Sequence, residues 1–198
     1  MLFPKNDSII PVFLIDEEPS VLKKGNYNRA MLLGISFEHD ELQSFIVKNK
    51  EQSITYFITP DLLDRSPTLV QTLKKHKPVV ALLGSTYEKY EEDPHLLNKE
   101  IETFNSHLGF TPMYFMTEDY MYTKELLNTL FKKQINAIAP SQVYDKDIKL
   151  KEGQFVYVAL NEETQIKWNE LQGFINKHKF TSIEETIFDA TISSSSSP

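Results

Sequence analysis

Residues 30–40, with the sequence AMLLGISFEHD, determine how the rest of the chain is arranged. Residues 31–37 are almost continuously apolar, and this run is too short for a buried helix or a membrane span. It ends abruptly at Glu38, His39 and Asp40. The pattern is typical of a central strand in a parallel sheet, because helices cover both faces of such a strand. Ligands bind beyond the carboxyl ends of parallel strands, so any chemistry is expected close to these three ionisable residues.

The composition predicts a single globular domain. Of the 198 residues, 40% are hydrophobic and 25% are charged, and no linker rich in Gly, Ser or Pro divides the chain. Residues 30–190 are predicted to form the domain. Residues 1–29 are predicted to be an irregular leader, and the serine-rich residues 191–198 are predicted to be a disordered tail.

Charge and residue usage exclude several classes of function. The net charge of −7 repels phosphate backbones, so no nucleic-acid partner is expected. The absence of cysteine excludes disulfides, thiolate nucleophiles and cysteine metal sites. The first residues lack the apolar core and cleavage site of a signal peptide, and no stretch is long enough to span a bilayer. The sequence therefore predicts a cytoplasmic protein with no membrane partner.

Strand-like and helical patterns alternate along the domain. This alternation predicts parallel pairing with right-handed crossovers, and six or seven strands favour a closed or partly open β/α barrel over an open sheet. Strands are predicted at residues 31–37, 53–58, 79–83, 113–116, 137–139 and 154–160, with an edge strand at 12–15. Helices are predicted after residue 40, from 66 to 77, and over 97–108, 123–133 and 163–178, followed by a short strand and a helical turn in 180–188.

Some residues mark the ends of these elements. Asp40 is predicted to cap the first helix, and Ser66 followed by Pro67 is predicted to start the second. Gly109 is expected to close a helix in the left-handed conformation. Residues 84–94 are polar, aromatic and acidic, which predicts a loop.

The order of these segments resembles the polysaccharide deacetylase family, also called the NodB homology domain or carbohydrate esterase family 4. The segment ISFEHD stands where the family has a strand ending in TFDDG, and SITYFITPDLLDRSPTLVQTLKKH is similar to the family's second strand and helix. The segments LGFTPMYF, KEGQFVYVAL and KHKFTSIEE are similar to its later segments. The resemblance covers residues 30–188 and implies an α/β fold, the irregular (β/α) barrel of the NodB type.

The resemblance also implies a chemistry, the metal-assisted hydrolysis of an N-acetyl group. In the family, one aspartate and two histidines hold a divalent metal ion that activates a water molecule. A second aspartate acts as the base, and a histidine on a late strand acts as the acid. A catalytic metal of this type needs about three protein ligands.

This chain departs from the family at those positions. Glu38 occupies the place of the base, and His39 occupies the place of the metal-binding aspartate. The two metal-binding histidines fall near Leu83 and Tyr87, and the late histidine falls on Ala159. The resemblance therefore predicts a pseudoenzyme with no catalytic residues, no metal and no cofactor.

Polar and aromatic residues remain just past the predicted strands, at the expected mouth of the barrel. Carboxylates bind sugar hydroxyls and aromatic rings pack on the C–H face of a sugar, so a carbohydrate or cell-wall glycan is the expected partner. The candidate ligand-binding residues are Glu38, Asp40, Tyr87, Glu118, Asp119, Tyr120 and Tyr144.

Two other functions stay open at this point. One is a divergent carbohydrate hydrolase or deacetylase, in which Glu38 works with Glu118 or Asp119 as a metal-free carboxylate pair. In a variant of this hypothesis, residues 38–40 hold a weakly bound metal ion. The other is a protein-interaction scaffold that uses apolar residues of the leader to bind a protein partner.

Overall fold

The fold is built on one parallel sheet. The computed structural model describes residues 15–188, and eight strands in this range form the sheet. They are β1 (Val21–Leu22), β2 (Arg29–Ile35), β3 (Ile54–Ile58), β4 (Val79–Gly84), β5 (Tyr114–Thr117), β6 (Asn136–Ile138), β7 (Gln142–Val143) and β8 (Gln154–Leu160). The sheet is curled into half a barrel, which confirms the predicted irregular β/α barrel.

Helices connect the strands, and most of them cover the convex face of the sheet, whereas α8 (Ile183–Phe188) packs Ile183 against the concave layer. The helices are α1 (Leu42–Lys48), α2 (Pro60–Arg65), α3 (Pro67–His76), α4 (Tyr87–Glu92), α5 (Leu96–Leu108), α6 (Lys124–Lys132), α7 (Trp168–Lys177) and α8 (Ile183–Phe188). Measured over residues 15–188, none of these helices has the length and hydropathy needed to cross a bilayer.

The predicted central strand, β2, lies inside the sheet. The strand order is β1-β6-β5-β4-β3-β2-β8-β7, so β2 pairs with β3 on one side and with β8 on the other. Leu33 lies opposite Tyr56 of β3 and Val158 of β8. The side chains of Met31, Leu33 and Ile35 are completely buried. Burial on both faces explains why this strand is apolar along its whole length.

Alternation along the strands divides the buried side chains into two layers. Met31, Leu33 and Ile35 of β2 face the helices, whereas Ala30 and Leu32 face the concave side of the sheet. Apolar side chains of the neighbouring strands complete the concave layer: Phe57, Ala81, Leu83, Tyr114, Met116, Ile138, Phe155 and Tyr157. The barrel interior is thus a packed core, and a ligand is expected at its mouth.

Most predicted strands and helices are confirmed, although their ends shift. The first strand ends at Ile35 rather than at Phe37, because the chain bends there. The helix predicted from residue 163 begins at Trp168. Gly109 closes α5 with φ +85°, as predicted.

Some local predictions are wrong. Asp40 does not cap α1, since Glu41 occupies the N-cap position in the left-handed conformation and no side chain caps the helix. Ser66 precedes α3 as predicted, but its hydroxyl donates to Glu38 instead of accepting from the helix backbone. The predicted loop over residues 84–94 contains α4, which forms because Tyr90 is buried against α5 and β5.

Short elements were not predicted at all. β1 lies within the predicted irregular leader and pairs with β6 at one edge of the sheet. β7 pairs with β8 at the other edge. Each of these strands has two residues, which is too few to show a period. The edge strand predicted at residues 12–15 lies almost entirely outside the described residues, and the predicted tail over 191–198 lies wholly outside them.

Gly34 lets Tyr157 cross the concave face of the sheet. A Cβ atom on Gly34 would lie 1.9 Å from the phenolic oxygen of Tyr157. Tyr157 also packs edge-to-face against Tyr120, with ring centroids 5.4 Å apart. The two tyrosines therefore fill the side of the barrel interior nearest β8, and only glycine fits beneath them.

We expect Gly34→Ala to lower the free energy of unfolding by about 1–3 kcal/mol, because the added methyl group overpacks a closed interior. Gly173→Ala is the matched control, since nothing lies within 4 Å of a Cβ at this position on α7. This control should raise stability by about 0.5–1 kcal/mol through helix propensity. Urea denaturation followed by circular dichroism measures both changes, and equal effects would contradict the close approach of Tyr157.

Candidate functional site

A cleft of about 420 Å³ opens at the carboxyl ends of β2, β3, β4 and β5. Ser36, Thr59, Ser85 and Glu118 belong to the next row beyond the concave apolar layer, because side chains two residues apart share one face of a strand. The mouth cleft, as we call it, is lined by Ser36, Thr59, Pro60, Asp61, Asp64, Leu83, Gly84, Ser85, Lys89, Glu100 and Glu118.

A buried carboxyl group forms one wall of the mouth cleft. Glu100, on α5, is only 7% exposed. Its Oε1 accepts from the Ser85 hydroxyl at 2.9 Å, and its Oε2 accepts from the hydroxyl of Tyr90. The backbone N–H of Ser85 donates to the Tyr90 oxygen at 2.8 Å. These contacts fix the carboxyl group beside the end of β4.

Burial raises the pKa of the Glu100 carboxyl above its ordinary value. The hydrogen bonds from Tyr90 and Ser85 favour the charged form and oppose this effect, but desolvation is the larger cause. Burial and the neighbouring Glu100 carboxyl also raise the pKa of Tyr90. A carboxyl group with a raised pKa in a cleft is a feature of functional sites.

Glu100 was not among the residues predicted from the sequence, although the sequence carries a signal for it. α5 buries Leu97, Ile101 and Phe104 on one face. Glu100 lies three residues after Leu97 and four before Phe104, so it interrupts the apolar stripe. A charged side chain on the buried face of a helix needs a polar partner, so its presence in the apolar stripe indicates a buried polar contact at this position.

Thr59 contributes a buried hydroxyl without a hydrogen-bond partner. The residue lines the mouth cleft and is 8% exposed, and within the described part of the chain its Oγ1 bonds to nothing. Thr59 occupies the N-cap position of α2, but its side chain does not cap that helix. An unsatisfied buried hydroxyl costs about 1–3 kcal/mol, so its retention calls for an explanation.

One ion pair, Arg65–Asp61, and one histidine–carboxylate contact, His107–Asp64, lie at the rim of the mouth cleft. Arg65 Nε lies 2.7 Å from Asp61 Oδ2, and His107 Nε2 lies 2.6 Å from Asp64 Oδ1. Both carboxylates are largely exposed, so solvent screens the pairs and they add little to stability. Their position at the rim gives the cleft an acidic edge.

Glu38 and Asp40, two of the predicted ligand-binding residues, lie away from the mouth cleft. Glu38 accepts from Gln43 Nε2 at 2.6 Å and from the Ser66 hydroxyl. These bonds join the loop after β2 to the start of α3. Glu38 and Asp40 line a separate, smaller pocket at the start of α1, which shares no lining residue with the mouth cleft.

Asp119 and its neighbours form a tight turn beside the cleft. The Asp119 carboxylate accepts from the backbone N–H of Tyr87 and from that of Met121, each at 3.1 Å. Tyr120 has φ +60°, a conformation that is rare for a bulky residue. Of the four predicted residues in this region, Glu118 alone lines the cleft, while Tyr87, Asp119 and Tyr120 shape the turn next to it.

Tyr144 lies in a third place, in a groove of about 450 Å³ between β7, β8 and α7. Its ring packs edge-to-face on Phe174, with ring centroids 4.8 Å apart. The seven predicted ligand-binding residues are therefore spread over three surface pockets and one turn. The sequence shows which residues follow each strand but not the direction in which each loop turns. It therefore does not predict that these seven residues lie in different places.

The residues at the predicted metal positions (His39, Leu83 and Tyr87) and at the predicted acid position (Ala159) do not fit a metal ion with an acid histidine. His39 Nε2 is hydrogen-bonded to the backbone oxygen of Asn161 at 2.8 Å. Leu83 is 3% exposed in the concave core, and Ala159 packs on the same layer. Tyr87 is held through its backbone by Asp119. Within residues 15–188, no three His, Asp or Glu side chains are grouped so that they could hold a metal ion.

The raised pKa of Glu100 has a measurable effect on stability. The folded protein keeps this proton to a higher pH than the unfolded chain does, so ionisation opposes folding as the pH rises past about 4 to 5. We therefore expect Glu100→Gln to become more stable relative to the unmodified protein as the pH is raised from about 4 to 7.

Denaturation at several pH values measures this change in relative stability. Glu102→Gln, which removes an exposed carboxyl from the same helix, is the matched control for a loss of charge. If the difference between Glu100→Gln and the unmodified protein does not vary with pH, the pKa of the carboxyl group is the same in the folded and the unfolded chain, and our account of its burial is wrong.

Comparisons with known proteins agree on the fold. No protein-family model and no curated protein matches the sequence. A family 4 carbohydrate esterase from Bacillus anthracis matches with a TM-score of 0.65 and 12% identity, over 83% of this chain and 85% of that chain. A peptidoglycan N-acetylglucosamine deacetylase matches with a TM-score of 0.71 and 12% identity, over 83% and 91% of the two chains.

A pseudoenzyme of the same esterase family, also from Bacillus anthracis, matches with a TM-score of 0.67 and 14% identity, over 85% of this chain and 69% of that chain. At such low identity, these matches concern the architecture and not the activity. They agree with the curled parallel sheet described above. The chain therefore has the NodB-like fold of the polysaccharide deacetylases of carbohydrate esterase family 4.

Proposed function

We propose that this protein is a catalytically silent polysaccharide deacetylase-like protein that binds a glycan in the mouth cleft. The observation that supports the proposal is the lining of the cleft, which joins hydroxyls and carboxylates and in which no imidazole takes part. Hydroxyls and carboxylates are the groups that bind sugar hydroxyls. The solved neighbours include a pseudoenzyme, so the fold is compatible with the absence of activity in one of its members.

The loss of metal-dependent activity follows from the residues that replace the metal ligands. An aliphatic side chain at Leu83 and a methyl group at Ala159 offer no lone pair to a metal ion or a proton. His39 alone is one ligand, and a catalytic metal needs about three. The glycan version of the proposal places the ligand against Ser85, Glu118 and the hydroxyl of Thr59. The cytoplasmic location stays a prediction.

A second candidate function is metal-free hydrolysis of a glycosidic bond. The sequence predicts Glu38 as one member of a carboxylate pair, but Glu38 lies outside the mouth cleft. Glu100 and Glu118 both line the cleft, and burial raises the pKa of Glu100. A carboxyl group with a raised pKa beside an exposed carboxylate is the pattern that glycosidases use as acid and base. Release of reducing ends from a glycan would favour this candidate.

We expect no release of acetate from N-acetylated chitin or peptidoglycan oligomers, whether zinc is added or removed by a chelator. The physical reason is that the chain lacks the imidazoles needed to hold the metal and to protonate the amine. Enzymatic detection of acetate checks this result. Release of acetate that is abolished by the chelator would overturn the assignment of Leu83, Tyr87 and Ala159 to the metal and acid positions.

We also expect glycan oligomers to bind in the mouth cleft. Glu118→Ala should weaken binding about tenfold, because it removes a charged hydrogen-bond acceptor. Isothermal titration calorimetry measures the change. Lys146→Ala, in the groove that contains Tyr144, is the matched control and should leave binding unchanged. A loss of binding in Lys146→Ala alone would move the ligand to that groove, and no binding by any glycan would refute the proposal.

A further inference from the structure

We infer that the mouth cleft selects a glycan that carries free, protonated amino groups over one whose amino groups are acetylated. This inference rests on the proposed glycan-binding function and names the chemical class of its ligand. The carboxylates of the cleft, a buried hydroxyl without a partner among the described residues and the small apolar part of the lining support it.

The lining of the cleft is predominantly acidic. Four carboxyl side chains, Asp61, Asp64, Glu100 and Glu118, face one cation, Lys89. An ionised carboxylate is an acceptor only, whereas an ammonium group is a donor only, so the two are complementary. Hydrogen bonds between charged partners are about twice as strong as those between neutral ones.

The ion pair and the histidine–carboxylate contact at the rim leave this acidic character in place. Arg65 approaches one oxygen of Asp61, and His107 approaches one oxygen of Asp64. Each carboxylate has two oxygens and can accept several hydrogen bonds. Because the pairs are exposed and screened by solvent, a ligand ammonium group can join or replace them at little cost.

Thr59 supplies an observation that is independent of charge. Its Oγ1 is buried at the cleft and bonds to no other described residue, and its side chain does not cap α2. The buried hydroxyl thus lowers the free energy of unfolding, and no hydrogen bond to another described residue compensates for this loss. An ammonium or hydroxyl group seated at the cleft floor would provide the missing partner.

An acetamido group fits this lining less well than an ammonium group. Its methyl needs an apolar contact, and its carbonyl needs a hydrogen-bond donor. The apolar side chains of the lining are Pro60 and Leu83, and Leu83 is 3% exposed within the core. Lys89 and the hydroxyls of Ser36 and Thr59 can donate to the carbonyl oxygen, but the four carboxyl groups of the lining outnumber these donors. The cleft therefore favours a free amino group.

The experiment compares glucosamine tetramer with N-acetylglucosamine tetramer by isothermal titration calorimetry at about pH 6, where an amino group is protonated. We expect the glucosamine tetramer to bind about tenfold more tightly. Raising the salt concentration should weaken that binding, since salt screens exposed charges.

Two variants test which residues cause the preference. Glu118→Gln keeps the shape of the side chain and removes its charge, so it should reduce the preference to about threefold or less. Thr59→Val removes the hydroxyl and keeps the volume. It should weaken binding of the glucosamine tetramer while the free energy of unfolding stays the same or rises, which a purely structural residue would not do. Glu102→Gln, on the far side of α5 from the apolar stripe, is the control.

The outcomes separate this inference from the proposed function. Equal or tighter binding of the acetylated tetramer would overturn the inference and leave glycan binding intact. Binding of neither tetramer nor of any other glycan would overturn both. A preference for glucosamine that survives in both Glu118→Gln and Thr59→Val would also overturn the inference, because the selecting groups would then lie elsewhere.

Discussion

When a parallel sheet is covered on both faces, each strand has to supply apolar side chains to two layers, one on either face. This constraint governs the whole structure. In β2 the odd-numbered residues Met31, Leu33 and Ile35 fill the layer beneath the helices. The even-numbered residues fill the concave layer, where the curl of the sheet leaves less room. Position 34 requires glycine for this reason, because Tyr157 from the neighbouring strand occupies the volume that a side chain would take.

The same alternation determines which residues reach the mouth. One step beyond the concave apolar layer, the strands carry Ser36, Thr59, Ser85 and Glu118 in place of apolar residues. The change from apolar to polar occurs at the end of each strand, so these polar groups meet in one cleft although they are far apart in the chain. Glu100 joins them from α5 because the carboxyl group needs the hydroxyls of Ser85 and Tyr90 to be buried at all.

Much of the fold could be predicted from the sequence, because β2, β3 and β8 are apolar over lengths that only strands have. The alternation of strands and helices predicts parallel pairing and favours a barrel, and the resemblance to the polysaccharide deacetylases implies the irregular barrel of the NodB type. Elements shorter than one period, such as β1 and β7, gave no signal. The polar residues of α4 predict a loop, and the helix is stabilised by the burial of Tyr90 against α5 and β5.

The site was harder to predict than the fold. The sequence gives the residues that follow each strand, but the direction of each loop depends on contacts between distant segments. Glu38 illustrates this limit, since it follows the central strand yet turns away to bind Gln43 and Ser66. Glu118 follows β5 and does line the cleft. Glu100 lies within α5, so a prediction that considers only the residues after each strand does not include it.

The apolar residues Leu83 and Ala159 have an energetic consequence for the fold. Histidine side chains at the positions of Leu83 and Ala159 would be partly buried polar groups, which cost free energy when they lack a metal ion or a hydrogen-bond partner. Leucine and alanine extend the concave apolar layer by one step instead, and Leu83 is buried within it. Apolar side chains at these two positions therefore stabilise the barrel interior. The row of Thr59, Ser85 and Glu118 is polar instead, and the hydroxyl of Thr59 has no hydrogen-bond partner among the described residues. That contrast is the physical reason to look for a ligand in the mouth cleft rather than to treat the whole barrel as a scaffold.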